Sequence, residues 1–496
     1  MTFRLPIVTL LISLFIVGHA LAWTPPDYKK PTVKAAQEAL IRLGYDPGTP
    51  DGVWGKKSRV AMNALRAANG LPEAESFTGS SLALIHRLSP GETTLPHPGV
   101  FVVDAVERRA FLKANPKIVT DFCPSTVGGK ISITRYQPRL DPTVNRLGQP
   151  EDQDWWSEIG EAMMGAENSC LAGRDRACQS IIDFAGRWAD ADALLSKLGP
   201  EDERYENTKS SSNYVIAQLM VAYGWARQLV PVPAEREATI LDWLKDRVDR
   251  YHHLYADPPN SVGGIYSAAA NNHGIANMLP AMTFGILVGD RSMLEPALEL
   301  RQYAMQWIRE DGSLPTEMSR GGGWHHYSVV LMERLMAVSE LAAAQGIDLY
   351  AEDAATPRYS VPHIVSYLLD ALADFDVAEQ YSKVNELPLD GYEPRTPQLR
   401  GYEFGYFPTY LERFGEDENI QRLRTGTVDG EICDTEPLSS GKFQDTFDLC
   451  KKYAGQSLPL ATVIISQQLE PSQQMDYSAG CAQATHTWAE ILGLGQ

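Results

Sequence analysis

The sequence has little positive charge for its length. Its 44 lysines and arginines face 63 aspartates and glutamates, which gives a formal net charge of −19 at pH 7. Such an excess of negative charge disfavours nucleic acid and anionic membranes as the main partners, because both repel an acidic surface. We therefore expect no nucleic-acid partner for this chain.

The apolar run at the N-terminus is too short to predict a membrane-spanning helix. It covers residues 5–17, follows Arg4 and precedes the small-residue sequence Ala20-Leu21-Ala22. This order is typical of a secretory signal peptide cleaved after Ala22, and an uncleaved anchor is the alternative. We expect residues 1–22 to be removed, the mature chain to be periplasmic, and no membrane partner to remain after cleavage.

Cysteine is rare, and no Cys-x-x-Cys sequence occurs, which disfavours a structural zinc site or a redox pair. Export to an oxidising compartment favours disulfides, and many pairings of six cysteines are open. Two pairs are close enough in sequence for a local bridge, namely Cys170 with Cys178 and Cys433 with Cys450. The other cysteines are Cys123 and Cys481.

Several catalytic signatures are also absent. The sequence contains no His-Glu-x-x-His, no Gly-x-Ser-x-Gly and no phosphate-binding P-loop. The histidine pairs His252-His253 and His325-His326 are adjacent, so both members of a pair do not easily face one metal ion. We expect no metal and no cofactor.

From residue 150 onward the apolar residues recur at helical spacing, and alternating β patterns are scarce. This periodicity predicts an all-α fold of paired helices. The predicted helices are Trp155–Glu167, Cys178–Trp188, Asn213–Leu229, Glu235–Tyr255, Asn277–Val288, Leu294–Arg309, Tyr327–Ala344 and Val361–Ala373.

Four polar residues suggest a specific reaction. Asn272 and His273 are adjacent, and Arg320 and Tyr327 follow on a second segment. An amide and a guanidinium suit a carboxylate, a neutral imidazole suits a base, and a phenol suits an acid. These groups meet the needs of β-elimination in a uronic-acid polymer, where a proton beside a carboxylate is removed and the C4 oxygen departs.

The order and spacing of these residues resemble the alginate lyase family, whose members are built on an α/α toroid. His273 and Arg320 are 47 positions apart, and Arg320 and Tyr327 are 7 apart. Trp324 stands where the family has Tyr, and glycines at 321–323 replace bulkier residues. The resemblance covers roughly residues 130–415 and extends to the sequences at 188–194 and 405–414.

The resemblance implies a role for each matched residue. Asn272 and Arg320 would neutralise the substrate carboxylate, and Tyr327 would protonate the leaving oxygen. The base is either His273 or the Tyr327 phenolate, and Asn271 would cap the following helix. Substrate binding is expected from Trp324, His325, Tyr136 and Arg139, the last two in a segment, 132–145, that is a candidate lid. A basic groove for the polyanion has as its candidates Arg135, Arg139, Lys209 and Arg320.

The N-terminal region resembles the three-helix peptidoglycan-binding module. The matching residues are Gln37, Leu40, Leu43-Gly44-Tyr45, Asp51-Gly52-x-Trp54-Gly55 and Ala67-Ala68-Asn69-Gly70-Leu71. The family often has Phe-Gln where Leu65-Arg66 stand here, so a spacer domain that binds no glycan is the alternative. Helices are predicted at 33–43, 57–69 and 78–88.

We therefore expect a module at 31–92, a proline-rich linker at 93–130, a toroid at 131–415 and an unassigned cysteine-containing extension at 416–496. The expected function is a periplasmic lyase that cleaves alginate, poly-β-D-mannuronate, to give 4,5-unsaturated uronate ends. Its expected partners are an acidic polysaccharide and, through the module, peptidoglycan. Two alternatives stay open: a lyase for another polyuronate such as glucuronan, and a catalytically silent cell-wall glycan-binding protein.

Overall fold

The described part of the chain is almost entirely helical, as the sequence predicts. The computed structural model describes residues 30–70, 73–74, 77, 79–89, 94–114, 133–139, 155–195, 205–251, 271–318, 324–354, 357–374, 376–382, 407–415, 417–419, 422, 427–429 and 485–487. The predicted signal peptide and the cysteines Cys123, Cys433, Cys450 and Cys481 lie outside these residues.

The described residues form sixteen α-helices. They are α1 Lys30–Arg42, α2 Lys56–Ala68, α3 Gly79–Leu88, α4 Ala105–Ala114, α5 Trp155–Leu171, α6 Asp175–Asp190, α7 Tyr205–Leu229, α8 Ala234–Tyr251, α9 Asn272–Val288, α10 Glu295–Met305, α11 Pro315–Met318, α12 Trp324–Ala343, α13 Leu349–Ala354, α14 Val361–Ala373, α15 Asp376–Ser382 and α16 Phe407–Phe414. Short 3-10 turns occupy Ile133–Arg135, Arg291–Met293 and Pro357–Tyr359. Two short strands, β1 Thr427–Asp429 and β2 Thr485–Thr487, pair antiparallel in the C-terminal extension.

The first three helices form a small unit with its own apolar core. Gln37 is buried at its centre, where Nε2 donates to Ser58 Oγ at 3.0 Å and Oε1 accepts from the Gly52 backbone N–H at 2.9 Å. Gly52 has φ +76°, and a Cβ there would lie 2.5 Å from the Lys30 carbonyl oxygen, so only glycine fits this turn. The matched positions Gln37 and Gly52 therefore hold the fold of the unit together.

The segment after this unit differs from the linker expected at 93–130. Phe101, Ala105 and Leu112 are buried in the core of the large domain. The Phe101 ring packs on α7, where a Cβ added to Gly224 would lie 2.3 Å from the ring. Residues 94–114 are therefore part of the large domain, because their apolar side chains fill its core despite the neighbouring prolines.

The large domain is built from helices that pack in pairs around one apolar core. Helix α7 packs against α5, α6 and α9, and α9 also packs against α10 and α12. Helix α9 is buried along nearly its whole length, which agrees with its largely apolar sequence. This central position makes the start of α9 a fixed point in the domain.

A disulfide joins Cys170 at the end of α5 to Cys178 in α6, which confirms that this local pair can bridge. Arg109 of α4 donates to the Cys170 carbonyl oxygen at 2.7 Å and to Asp175 Oδ1 at 2.7 Å. The bridge and the arginine together fix the turn between the two helices.

The small unit contacts the large domain through α3. This helix packs against α10 and against the 3-10 turn Arg291–Met293. His86 Nε2 lies 3.1 Å from Glu299 Oε1 across this contact. The Leu95 backbone N–H donates to the Gly289 carbonyl oxygen at 3.2 Å just beyond the end of α9.

None of the helices that the structure describes has the length and apolar character needed to span a bilayer.

Candidate active site

The start of α9 carries the first predicted segment. Asn271 is the N-cap, and its side chain accepts a hydrogen bond from the Gly274 backbone N–H at 2.8 Å. This confirms the capping role predicted for Asn271 and satisfies one of the exposed N–H groups at the helix start. His273 lies in the first turn and is partly exposed. The cap therefore fixes the backbone from which His273 projects.

The Asn272 side chain is buried and held at both ends. Its Nδ2 lies 3.0 Å from each carboxylate oxygen of Glu317, and its backbone N–H donates to Glu317 Oε1 at 2.7 Å. Its Oδ1 accepts from Arg334 Nη1 at 2.6 Å. Asn272 is 2% exposed, Glu317 0% and Arg334 2%. The Asn272 amide is therefore fixed between the Glu317 carboxylate and the Arg334 guanidinium.

The start of α12 carries Trp324, His325 and Tyr327. Trp324 is 1% exposed and belongs to the apolar core, while His325 is 2% exposed and meets the Trp324 ring edge-on at 5.4 Å. A side chain with so little exposed surface offers no face on which a sugar can stack. The burial argues against the substrate-binding role expected of Trp324 and His325. Tyr327 is partly exposed, as a proton donor to substrate needs to be.

Helix α11 lies directly before the segment that carries Arg320. Arg320 itself lies outside the described residues, so its predicted contact with substrate stays a prediction. Its neighbour Met318 accepts a hydrogen bond through Sδ from Ser328 Oγ at 3.6 Å. Ser328 follows Tyr327 in sequence, and α11 packs against α12. Helix α11, which precedes Arg320 in sequence, is therefore joined to the first turn of α12.

Tyr136 and Arg139 follow the 3-10 turn Ile133–Arg135, which packs against α5 and α6. Tyr136 is partly buried against the main core, and the Arg139 carbonyl oxygen accepts from the Leu194 N–H at 2.6 Å. Both side chains are partly exposed. The rest of the expected lid segment lies outside the described residues, and its lid role stays a prediction.

The candidates for a basic groove are spread over several parts of the chain. Arg135 is exposed, Arg139 is partly exposed, and the backbone of Lys209 lies in α7.

In the described residues no three histidine, cysteine or acidic side chains form a cluster able to hold a metal ion.

Glu317 and Arg334 are the residues that the sequence interpretation missed. A signal for Arg334 was present, since Glu333-Arg334 interrupts an otherwise apolar helix and both are buried. A buried charge needs a partner, so a charged pair inside an apolar helix indicates a polar network. Glu317 offered a weaker signal, its position three residues before Arg320.

Comparison with known proteins agrees with this arrangement. The alginate lyase family model matches residues 181–374, a range that includes Asn272, His273, Arg320 and Tyr327. The large helical domain is therefore similar in sequence to alginate lyases. A second family model, described as a putative peptidoglycan binding domain, matches residues 29–74. Both resemblances seen in the sequence are confirmed.

Two relatives show how far the similarity extends. A polysaccharide lyase of Stenotrophomonas maltophilia is 26% identical over 313 residues, 60% of this chain and 89% of that protein. An alginate lyase of Pseudomonas aeruginosa strain LESB58 is 22% identical over 283 residues, 54% of this chain and 72% of that protein. Both relatives therefore align with this chain over most of their own length.

Solved structures show the same fold. Alginate lyase A1-III from Sphingomonas species A1 superposes with a TM-score of 0.51 at 19% identity, over 66% of this chain and 91% of that chain. A variant of that enzyme complexed with a tetrasaccharide gives a TM-score of 0.52. The predicted all-α class and the α/α toroid of the alginate-lyase-like domain are confirmed.

Proposed function

We propose that this chain is a polysaccharide lyase that cleaves alginate by β-elimination, with poly-β-D-mannuronate as the preferred polymer. The observation that carries the proposal is the packing of α9 against α12, the two helices that carry the candidate residues. Asn272 and His273 open α9, and Tyr327 lies in the first turn of α12, which packs against α9. The residue types are those that the elimination needs, and the relatives named polysaccharide lyase and alginate lyase support it.

The proposed reaction has three parts: the substrate carboxylate is neutralised, the C5 proton is removed, and the C4 oxygen departs. Arg320 binds the uronate carboxylate, so the charge that develops on it when the C5 proton leaves is stabilised. Asn272, which the resemblance places in the same role, is almost fully buried and bonded to Glu317 and Arg334, and this burial argues against its direct contact with substrate. His273 or the Tyr327 phenolate takes that proton. The electron pair forms the C4–C5 double bond as the C4–O bond breaks, and Tyr327 protonates the departing oxygen.

Stereochemistry favours mannuronate over guluronate, its C5 epimer, and does not separate mannuronate from glucuronate, which has the same C4 and C5 configurations. In a mannuronate residue the C5 proton and the C4 oxygen lie on the same face of the ring. One tyrosine can therefore remove the first and protonate the second, with His273 assisting. A uronate with these two groups on opposite faces needs the base and the acid on opposite sides of the ring.

We also propose a periplasmic location and attachment to peptidoglycan. The sequence of residues 1–22 supports export, and the Cys170–Cys178 bridge is the kind of bond that persists in an oxidising compartment. The matched peptidoglycan binding domain supports attachment through the small unit. Attachment would keep the enzyme where an exported polymer passes.

The proposal is tested by the ultraviolet absorbance of the unsaturated product on a panel of purified polymers: polymannuronate, polyguluronate and glucuronan. We expect the fastest rise on polymannuronate. A rise on glucuronan alone would replace the proposed substrate with the other polyuronate. No rise on any polymer, together with retention of the chain on a glycan column, would make it a silent glycan-binding protein.

A further inference from the structure

A buried polar cluster lies beneath the proposed site. It consists of Asn272, Glu317 and Arg334, which come from α9, α11 and α12. Glu317 accepts from both the backbone and the side chain of Asn272, and Arg334 donates to the other end of the same amide. All three side chains are almost fully buried. A carboxylate and a guanidinium are thus joined through one amide.

This arrangement permits a single orientation of the Asn272 amide. A flip of the amide would turn its N–H groups toward the Arg334 guanidinium, which can only donate, and its oxygen toward the Glu317 carboxylate, which accepts. Both new contacts would be repulsive inside a dry interior, where unpaired polar groups are costly. The amide nitrogen is therefore fixed on the Glu317 side.

The cluster also connects the three segments that carry the proposed machinery. Asn272 precedes His273 directly, and Glu317 lies three residues before Arg320. Arg334 follows Tyr327 by two turns of α12, about 10 Å along the same helix face. The contact between Ser328 and Met318 adds a second link between α11 and α12. A displacement of the cluster would therefore move α9, α11 and α12 relative to one another.

We propose that Glu317 and Arg334 are positioning residues for the elimination, acting through Asn272. This inference rests on the proposed function. Glu317 and Arg334 hold the amide in one orientation, and with it they fix the start of α9, which carries His273, relative to α12, which carries Tyr327. Hydrogen bonding of Oδ1 to a guanidinium also polarises the amide, which makes its N–H a stronger donor.

The test is a set of kinetic cycles on polymannuronate. Glu317→Gln should lower kcat by about 10- to 100-fold, because a small misplacement of a catalytic group is enough for such a loss. The same substitution made in an Asn272→Ala background should change kcat by less than about twofold, since positions that act through one group are not additive. An equal loss in both backgrounds would overturn the inference.

Glu340→Gln is the matched control. Glu340 is also a buried carboxylate of α12, it is paired with Arg413, and it accepts from Tyr350 at 3.0 Å. This variant should lower the unfolding temperature and leave kcat unchanged while the chain is folded. If Glu340→Gln reduces kcat as much as Glu317→Gln does, loss of stability explains both results and the positioning role is overturned.

A second substitution keeps the test decisive if Glu317→Gln does not fold. Glu317→Asp keeps the charge and draws the carboxylate back from the amide by one methylene, so kcat should again fall while KM changes less. Unchanged kcat in this variant would overturn the positioning role and leave the proposed function standing. A wild-type chain that forms no unsaturated product would overturn the proposed function, and the inference with it.

Discussion

Tyr327 is the residue whose hydroxyl the proposed chemistry depends on most. Changing it to Phe removes one oxygen and keeps the ring, so packing in the first turn of α12 should survive. The elimination rate on polymannuronate should fall by about 10²- to 10⁴-fold, the range expected when a general acid is lost. The measurement is the initial rate of product absorbance, with circular dichroism as the check on folding.

Tyr367→Phe is the control for this substitution. Tyr367 lies in α14, and its hydroxyl makes a long hydrogen bond of 3.4 Å to the Val377 carbonyl oxygen. This variant should retain a near-normal rate. Near-normal elimination by Tyr327→Phe on its best substrate would remove Tyr327 from the mechanism.

The buried hydroxyl of Tyr223 should make the stability of the protein depend on pH in the alkaline range. Burial, and then the negative charge of Glu237, raise the pKa of the Tyr223 hydroxyl from 10.0 to about 12. A raised pKa in the folded state means that the unfolded chain loses this proton first. The stability contributed by the neutral phenol is therefore complete below pH 10 and is lost as pH rises toward about 12.

Tyr223→Phe should remove this alkaline loss. Between pH 10 and about 12 the variant should gain stability relative to the wild type, on the order of 1–2 kcal/mol after allowance for solvent screening. Urea unfolding at a series of pH values measures the difference. Parallel pH profiles for the two proteins would show that another group controls the alkaline transition.

Among the secondary-structure elements, most helices are predicted correctly from the sequence, but their first and last residues are predicted less accurately. Val361–Ala373 is predicted to the residue, and α7 begins eight residues earlier than predicted. Helix α9 begins at Asn272 rather than Asn277 because the Asn271 cap and the Glu317 carboxylate satisfy its first N–H groups. The first cap is visible in the sequence, and the second comes from 45 residues away.

The candidate site could likewise be predicted only in part from the sequence. The local motifs around His273 and Tyr327 indicate which residue types carry the chemistry. The burial of Trp324 and the contact of Glu317 with Asn272 depend on how α9, α11 and α12 meet. Contacts between distant segments leave no period or spacing in the sequence, so these two features could be found only in the folded chain.

The packing of Phe101 on α7 provides a test of whether residues 94–114 belong to the large domain. Gly224→Ala would bring a methyl group against the Phe101 ring, with 2.3 Å available, so the chain must shift. We expect a loss of about 1–3 kcal/mol in the free energy of unfolding, as in other overpacked cores. Chemical denaturation measures it.

Gly186→Ala is the matched control within a helix. Its nearest neighbours are atoms of the Arg236 side chain, which is partly exposed and can move aside. This variant should be neutral or slightly stabilising, because alanine favours helix more than glycine does. Equal effects of the two substitutions would mean that Phe101 does not constrain α7.

At the scale of the whole molecule, the small unit is docked on the large domain and can be removed at its border. Deletion of residues 23–92 ends before Leu95, which belongs to the main core. We expect near-normal turnover on soluble polymer and weaker pelleting with peptidoglycan sacculi. Equal pelleting of both proteins would exclude the attachment role.

A longer deletion serves as the control for this border. Removal of residues 23–114 also takes away Phe101, Leu112 and Arg109, the residue that contacts the turn bridged by the disulfide. This protein should fail to fold or should unfold at a much lower temperature. A stable and active product would mean that the border of the large domain lies further along the chain.

The position of the docked unit also determines which way the enzyme faces. Helix α3 contacts the chain just beyond the end of α9, whereas His273 lies at the start of α9, about 24 Å away along the helix axis. If the small unit binds the wall on the side opposite its contact with α10, the reactive end of the large domain faces away from the wall. Such an enzyme would intercept polymer that drifts through the open space beside the wall, and polymer embedded in the wall would lie behind it.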